Sequence, residues 1–154
     1  MNNRIVVLCA MLVAALMLGG CAATQPKAMS KDDLLQNRSA MIADARAAVP
    51  QITIEQLKQK IDAEEDFFLI DVRDPNEWPI GLVDYENVVT ASRGKIEFIA
   101  PNRFAVDDPL VVICKTGGRS SLAAKTLHDL GYVNVTNVST GMDDWMAAGY
   151  PLKD

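Results

Sequence analysis

Cys114 opens the segment Cys114-Lys115-Thr116-Gly117-Gly118-Arg119-Ser120, which places a thiol, two cations, two glycines and two hydroxyls within seven residues. An apolar run, Leu110-Val111-Val112-Ile113, stands directly before it behind Pro109, and Ser121 to Leu130 has helical character. The thiol is therefore expected at the end of a buried strand, in a turn that feeds a helix N-terminus. Such a turn aims backbone N–H groups and the positive end of a helix dipole at its centre. Flanked by Lys115 and Arg119, a cysteine there is expected to be more nucleophilic than a free one. The same cradle suits an anionic substrate. Gly117 and Gly118 let the main chain curl close around the sulfur, because glycine tolerates positive φ. This chemistry requires neither a metal nor a cofactor.

The surrounding sequence reads as short apolar strands alternating with helices. Thr53-Ile54-Glu55-Gln56 is a capping-box start, with Leu57 and Ile61 one turn apart on the buried face. Phe67-Phe68-Leu69-Ile70 has strand character and runs into Asp71-Val72-Arg73-Asp74-Pro75. Val88-Val89 is a further candidate strand, and Gly94 to Ala100 a short helix between proline-marked ends. Gly131 stops the helix after the cysteine loop; Asn134 to Val138 reads as a strand and Gly141 to Ala148 as a closing helix around Trp145. This alternation predicts an α/β fold, a mostly parallel sheet covered by helices on both faces. In such sheets ligands bind at the carboxyl ends of strands, where Cys114 falls.

Composition bounds the remaining possibilities. The 154 residues are 49% hydrophobic and 23% charged, ordinary for one globular domain. A net charge of −5 argues against general nucleic-acid binding. Of the 3 cysteines, Cys9 and Cys21 lie near the N-terminus, so the body has no disulfide framework and Cys114 is its sole thiol.

The N-terminus reads as a targeting segment. Residues 1–20 carry one charge, Arg4, ahead of an apolar run from Ile5 to Leu18 that has the length of a signal-peptide core. Leu18-Gly19-Gly20-Cys21 resembles the lipobox of bacterial lipoprotein signal peptides. That resemblance implies cleavage before Cys21 and lipidation of its sulfur, with several acyl chains holding the protein on a membrane. Ala22 at the next position implies the outer membrane, with the protein in the cell envelope facing the periplasm. Residues 21–29 would be the lipidated cysteine and tether, and residues 30–49, opening on Ser30-Lys31-Asp32-Asp33, a helical extension stopped by Pro50.

Three segments together resemble a single rhodanese domain across residues 50–154. They are Thr53 to Leu57 running into Leu69-Ile70-Asp71-Val72-Arg73 and Glu77-Trp78; the loop Cys114 to Ser120, similar to the family's Cys-x-x-Gly-x-Arg-Ser pattern; and Gly131 to Val135, continuing through Gly141 and Trp145 to Gly149-Tyr150-Pro151. Two departures stand out. The family often has Gly-His and then Gly-Ala after the Glu77 region, where this chain has Gly81-Leu82 and Asp84-Tyr85-Glu86. A changed wall opposite the cysteine is expected from them. The one histidine, His128, lies late on the helix after the loop, so a Cys–His pair is not expected.

The resemblance implies sulfur transfer through a Cys114 persulfide, from a small anionic donor such as thiosulfate to a thiol or cyanide-like acceptor, or to a protein acceptor. Six residues from Cys114 through Arg119 resemble the sulfur-handling members of the superfamily, whereas its phosphatase relatives have a longer loop. Lys115, Thr116, Gly117, Gly118, Arg119 and Ser120 would form the substrate cradle, with Asp71 and Arg73 in support. Several roles stay open. Arg119 suits either an anion contact or a brace to a carboxylate such as Asp71, and Ser120 either a helix cap or a sulfur contact. Lys115 suits substrate or solvent, and Thr116 can offer its N–H alone. Asp71 and Arg73 fit a structural role that includes an Arg73–Glu77 pair. A non-catalytic binding module and a redox-stress role for the thiol are the competing functions.

Overall fold

The computed structural model describes residues 28–153. The expected signal peptide, Cys21 and the first part of the tether lie outside the described residues. Among the described residues no helix is long and apolar enough to cross a membrane.

Helix α1 spans Lys31–Ala48, and the chain leaves it at Val49-Pro50. Proline lacks an N–H and disfavours helical geometry in the residue before it, so the helix ends there. Strand β1 (Gln51–Ile52) leads into α2 (Ile54–Asp62). Thr53 caps α2: its hydroxyl accepts from Gln56 N at 3.3 Å while the Gln56 side chain accepts from Thr53 N at 2.9 Å. Such a cap is worth about 1 kcal/mol. Then come β2 (Phe68–Asp71), β3 (Leu82–Val83), β4 (Val88–Thr90), α3 (Ile96–Ile99) and β5 (Leu110–Ile113). Helix α4 (Gly118–Asp129), β6 (Val135–Val138), α5 (Met142–Ala147) and β7 (Leu152–Lys153) complete the body.

Five strands form one parallel sheet in the order β1-β6-β5-β2-β4. Every residue of β5 is buried, as expected of a central strand covered on both faces. Alternate side chains divide between two cores. Ile70, Leu110 and Val112 pack with Ala123, Ala124 and Leu127 of α4 and with Ile96 of α3. Leu69, Val111 and Ile113 pack with Ile54 and Leu57 of α2 and with Met142 and Trp145 of α5. Helices thus cover both faces, which is the α/β arrangement read from the sequence.

The register sets up the site. Asp71 pairs with Ile113, so β2 and β5 end side by side. The chain leaves β5 toward β6 on one side, and β2 toward β4 on the other, making the β5/β2 boundary the switch point of the sheet. A crevice opens where neighbouring connections diverge in this way. Cys114 follows β5 there, and the segment Val72 to Glu77 follows β2.

Candidate active site

The cradle around Cys114 is built by fixing which way its peptide groups point. Gly117 adopts φ 84°, ψ −13°, the left-handed conformation, and α4 starts at the next residue. A side chain is excluded there twice over, since a Cβ would also stand 2.3 Å from Ser139 O. The Gly117 N–H is turned inward and donates to Cys114 Sγ at 3.2 Å. The carbonyls are turned outward and held there. Cys114 O accepts from Met142 N at 2.9 Å and Lys115 O from Asp143 N at 3.1 Å, so the first turn of α5 grips the back of the loop. Gly117 O accepts from Ser120 Oγ (3.1 Å), Ser121 Oγ (2.5 Å) and Ser121 N (3.1 Å). With these three carbonyls engaged elsewhere, the Gly117 N–H at the N-terminal end of α4 is the one left directed at the sulfur. That arrangement stabilises negative charge on sulfur or on a bound anion.

Several of these side chains have defined partners. Ser120 is wholly buried and its hydroxyl donates toward Gly117 O and Val138 O (3.4 Å), and α4 has no side-chain cap hydrogen bond. Lys115 and Thr116 are exposed, and Cys114 is fully buried beneath the loop. Asp71 is not the partner of Arg119. It pairs with Arg73, both 2% exposed, through Arg73 Nε to Oδ1 (3.0 Å) and Oδ2 (2.8 Å), while Arg73 N also donates to Oδ1. The expected Arg73–Glu77 ion pair does not form either. Arg73 reaches Glu77 only at its carbonyl (3.1 Å) and adds Gly81 O (2.8 Å). Arg73 is thus a buried clip that shapes residues 77–81 onto the end of β2.

The segment so shaped delivers two carboxylates to Arg119. Glu77 takes its guanidinium through two oxygens at 2.6 and 2.9 Å, and Asp74 adds a third contact at 2.8 Å. The hydrogen-bonded Arg119 guanidinium, opposed by burial, holds the Glu77 carboxyl at about 2 against an ordinary 4.5. The same bond pushes Arg119 further up, and the nearby Cys114 sulfur adds to that. Arg119 therefore bridges the loops after β5 and β2 across the switch point. Glu77 entered the sequence reading through the resemblance and as a partner for Arg73, not for Arg119, and Asp74 and Gly141 had no stated role. Asp74 and Glu77, three apart around Pro75, were the available signal.

This link has a definite pH dependence. A depressed carboxyl contributes stability that is whole above its unfolded value and lost as pH falls through its folded one. For Glu77 the window runs from about 4.5 down to about 2. Wild type should therefore exceed Glu77→Gln in urea midpoint at pH 5 to 6, with the two curves converging as pH approaches about 2. Parallel curves across that range would show that Glu77 does not carry the effect.

The departures near Asp84 take on a different meaning. Tyr85 Oη accepts from Phe67 N (3.2 Å) and its ring stacks on Phe67 at 4.5 Å, beside the start of β2. Cys114 lies beyond the opposite ends of the strands. Tyr85 and its neighbours thus brace the far edge of the sheet and do not form the wall opposite the cysteine. His128 sits in the last turn of α4, also away from the loop. Among the described residues no group of His, Cys, Asp and Glu could hold a metal.

Comparison with known proteins agrees with this geometry. The Rhodanese-like domain pattern matches residues 53–148. A sulfurtransferase of Allochromatium vinosum is 30% identical over 104 residues, covering 68% of this chain and 94% of that protein. YrkF of Bacillus subtilis is 35% identical over 99 residues, 64% of this chain, and the chain spans about half of that protein's length (52%). Among solved structures, the polysulfide-sulfur transferase homodimer of Wolinella succinogenes superposes with a TM-score of 0.68 at 33% identity, covering 82% of this chain and 94% of that one. Relatives of this kind support sulfur transfer as the general chemistry. By its sequence pattern, sheet order and cysteine loop, the chain belongs to the rhodanese-like domain family.

Proposed function

We propose that this protein is a sulfurtransferase that moves sulfane sulfur from an anionic donor such as thiosulfate to a nucleophilic acceptor through a persulfide on Cys114. The observation that carries this reading is the Gly117 N–H aimed at Cys114 Sγ, at 3.2 Å, in a loop whose Cys114, Lys115 and Gly117 carbonyls are engaged elsewhere. The Cys114 thiolate attacks the outer sulfur of thiosulfate, the S–S bond breaks, and sulfite leaves with the electron pair. A cyanide or thiolate acceptor then attacks the outer sulfur of the persulfide and returns the Cys114 thiolate. No oxidant or reductant enters, and the two half-reactions give ping-pong kinetics. The Gly117 N–H stabilises the charged sulfur in both halves, a contribution of about 3 kcal/mol when water is excluded.

One feature favours a second reading. Cys114 is fully buried, with Arg119 locked to Glu77 and Asp74 nearby, as a non-catalytic binding module would tolerate. In the enzymatic reading the donor has to gain access to the buried sulfur, which suits a slow relay serving a protein acceptor as well as a free-standing enzyme. Intact-mass measurement after thiosulfate treatment separates the two. Wild type should gain about one sulfur atom and Cys114→Ser none, as a covalent intermediate requires. No gain on wild type with any sulfane donor would leave the binding module standing.

Lipid anchorage in the cell envelope belongs to the same proposal and is supported by Leu18-Gly19-Gly20-Cys21. In a bacterial host the wild-type chain should fractionate with the outer membrane. Cys21→Ser should be released or remain unprocessed, whereas a variant still cleaved and membrane-held would contradict lipidation.

A further inference from the structure

Helix α1 runs beside the cysteine loop. Ile42 Cδ1 approaches Gly118 closely enough that a Cβ there would lie 3.5 Å away. Arg46, one turn on, donates to Ser121 Oγ (3.3 Å) and Ser139 O (3.0 Å). Between helix and loop lies an open cleft of about 470 Å³, faced by Arg38, Ile42 and Arg46 from α1 and by Thr116, Arg119 and Leu122 from the loop and α4. Its charge is one-sided, since no carboxylate lines it. Arg119 already has its carboxylates in Glu77 and Asp74, but neither Arg38 nor Arg46 takes part in an ion pair among the described residues. The partners of Arg46 are neutral oxygens.

Two uncompensated guanidiniums on one wall match carboxylates, which they can grip through two parallel hydrogen bonds. Ile42 and Leu122 supply apolar surface between them and the loop. The cleft has the size of pockets that take organic ligands, about 300–1,000 Å³, and offers far more room than a small inorganic anion fills.

We propose that this cleft is a subsite for the carboxylate-bearing body of an organic persulfide, R–S–SH, whose outer sulfur is handed to Cys114. The proposal rests on the sulfur-transfer reading and names a donor class for it. The Cys114 thiolate attacks the outer sulfur and the donor S–S bond breaks. The electron pair leaves on R–S⁻, which takes a proton from solvent, and Cys114 carries the new persulfide. α1 thus contributes donor specificity that the cysteine loop alone lacks.

The test uses the full chain with two donors of identical sulfur chemistry, glutathione persulfide and the persulfide of its diethyl ester. Wild type should show a KM about tenfold lower for the free acid, as expected for charge-assisted hydrogen bonds. Arg38→Glu should erase that preference, and raised salt should shrink it in wild type. Equal KM values for the two donors in wild type, or an unchanged preference in Arg38→Glu, would overturn the subsite. Failure of the transfer reading is distinguished by calorimetric titration of S-methylglutathione into Cys114→Ser, where no reaction is needed. Binding that Arg38→Glu abolishes supports the cleft even if no donor sulfurates Cys114, and absence of binding refutes it.

Discussion

Gly141→Ala should lower sulfur transfer at least a hundredfold, the scale of loss expected when a reacting group is displaced by about 1 Å. The reason is space and not backbone strain, because Gly141 sits at φ −174°, ψ −163°, extended geometry that any residue adopts. A Cβ on it would stand 2.3 Å from Lys115 O and 2.5 Å from Cys114 O, both main-chain atoms. Those carbonyls are the ones that Met142 N and Asp143 N hold outward. To make room, the loop has to retreat from α5, and the Gly117 N–H that faces the Cys114 sulfur loses its aim. Overpacking of this kind also costs about 1–3 kcal/mol of stability. Gly94→Ala is the matched control, since nothing lies within 4 Å of a Cβ there. Measured kcat/KM with thiosulfate decides the matter. A Gly141→Ala enzyme within tenfold of wild type would mean that α5 does not set the loop.

Arg73→Ala should be the most destabilising substitution in the site, at about 3–5 kcal/mol, because it strands the buried Asp71 carboxylate. It also frees the Glu77 and Gly81 carbonyls that Arg73 ties down. For a domain of this size the thermal midpoint should fall by roughly 10 °C or more. The isosteric apolar pair Asp71→Leu with Arg73→Met should recover much of the loss, since a buried ion pair is dear to break and cheap to replace whole. It should not recover activity, because residues 77–81 would no longer be clipped under Arg119. A midpoint for Arg73→Ala within about 2 °C of wild type would remove the pair from this role.

Much of the architecture could be read from particular residues. Leu110 to Ile113 is apolar without alternation, which only a doubly covered strand explains, and the Thr53–Gln56 capping box forms as its spacing requires. The cysteine loop was legible for the same local reason: a strand, a glycine turn and a helix follow each other within a few residues. What sequence alone does not carry is pairing across distance. Arg119 has several carboxylates within chain reach, and its choice of Glu77 over Asp71 depends on Arg73 occupying Asp71 first. The α5 grip on Cys114 O joins residues 28 apart through backbone atoms, which leave no mark in side-chain types. The β3–β7 ladder pairs two-residue strands, too short to show a period. α4 begins at Gly118, three residues before the helical pattern becomes visible, because the left-handed Gly117 turns the chain into it.

The sheet ends in β1 on one side and β4 on the other, of two and three residues, with Pro50 immediately before β1. Borders this brief offer an incoming strand little to zip onto, so the native molecule resists cross-β association despite the sticky Leu110–Ile113 run at its centre. Protection of that kind lasts only while the outer strands stay seated. Variants that loosen the sheet should therefore precipitate before they fully unfold.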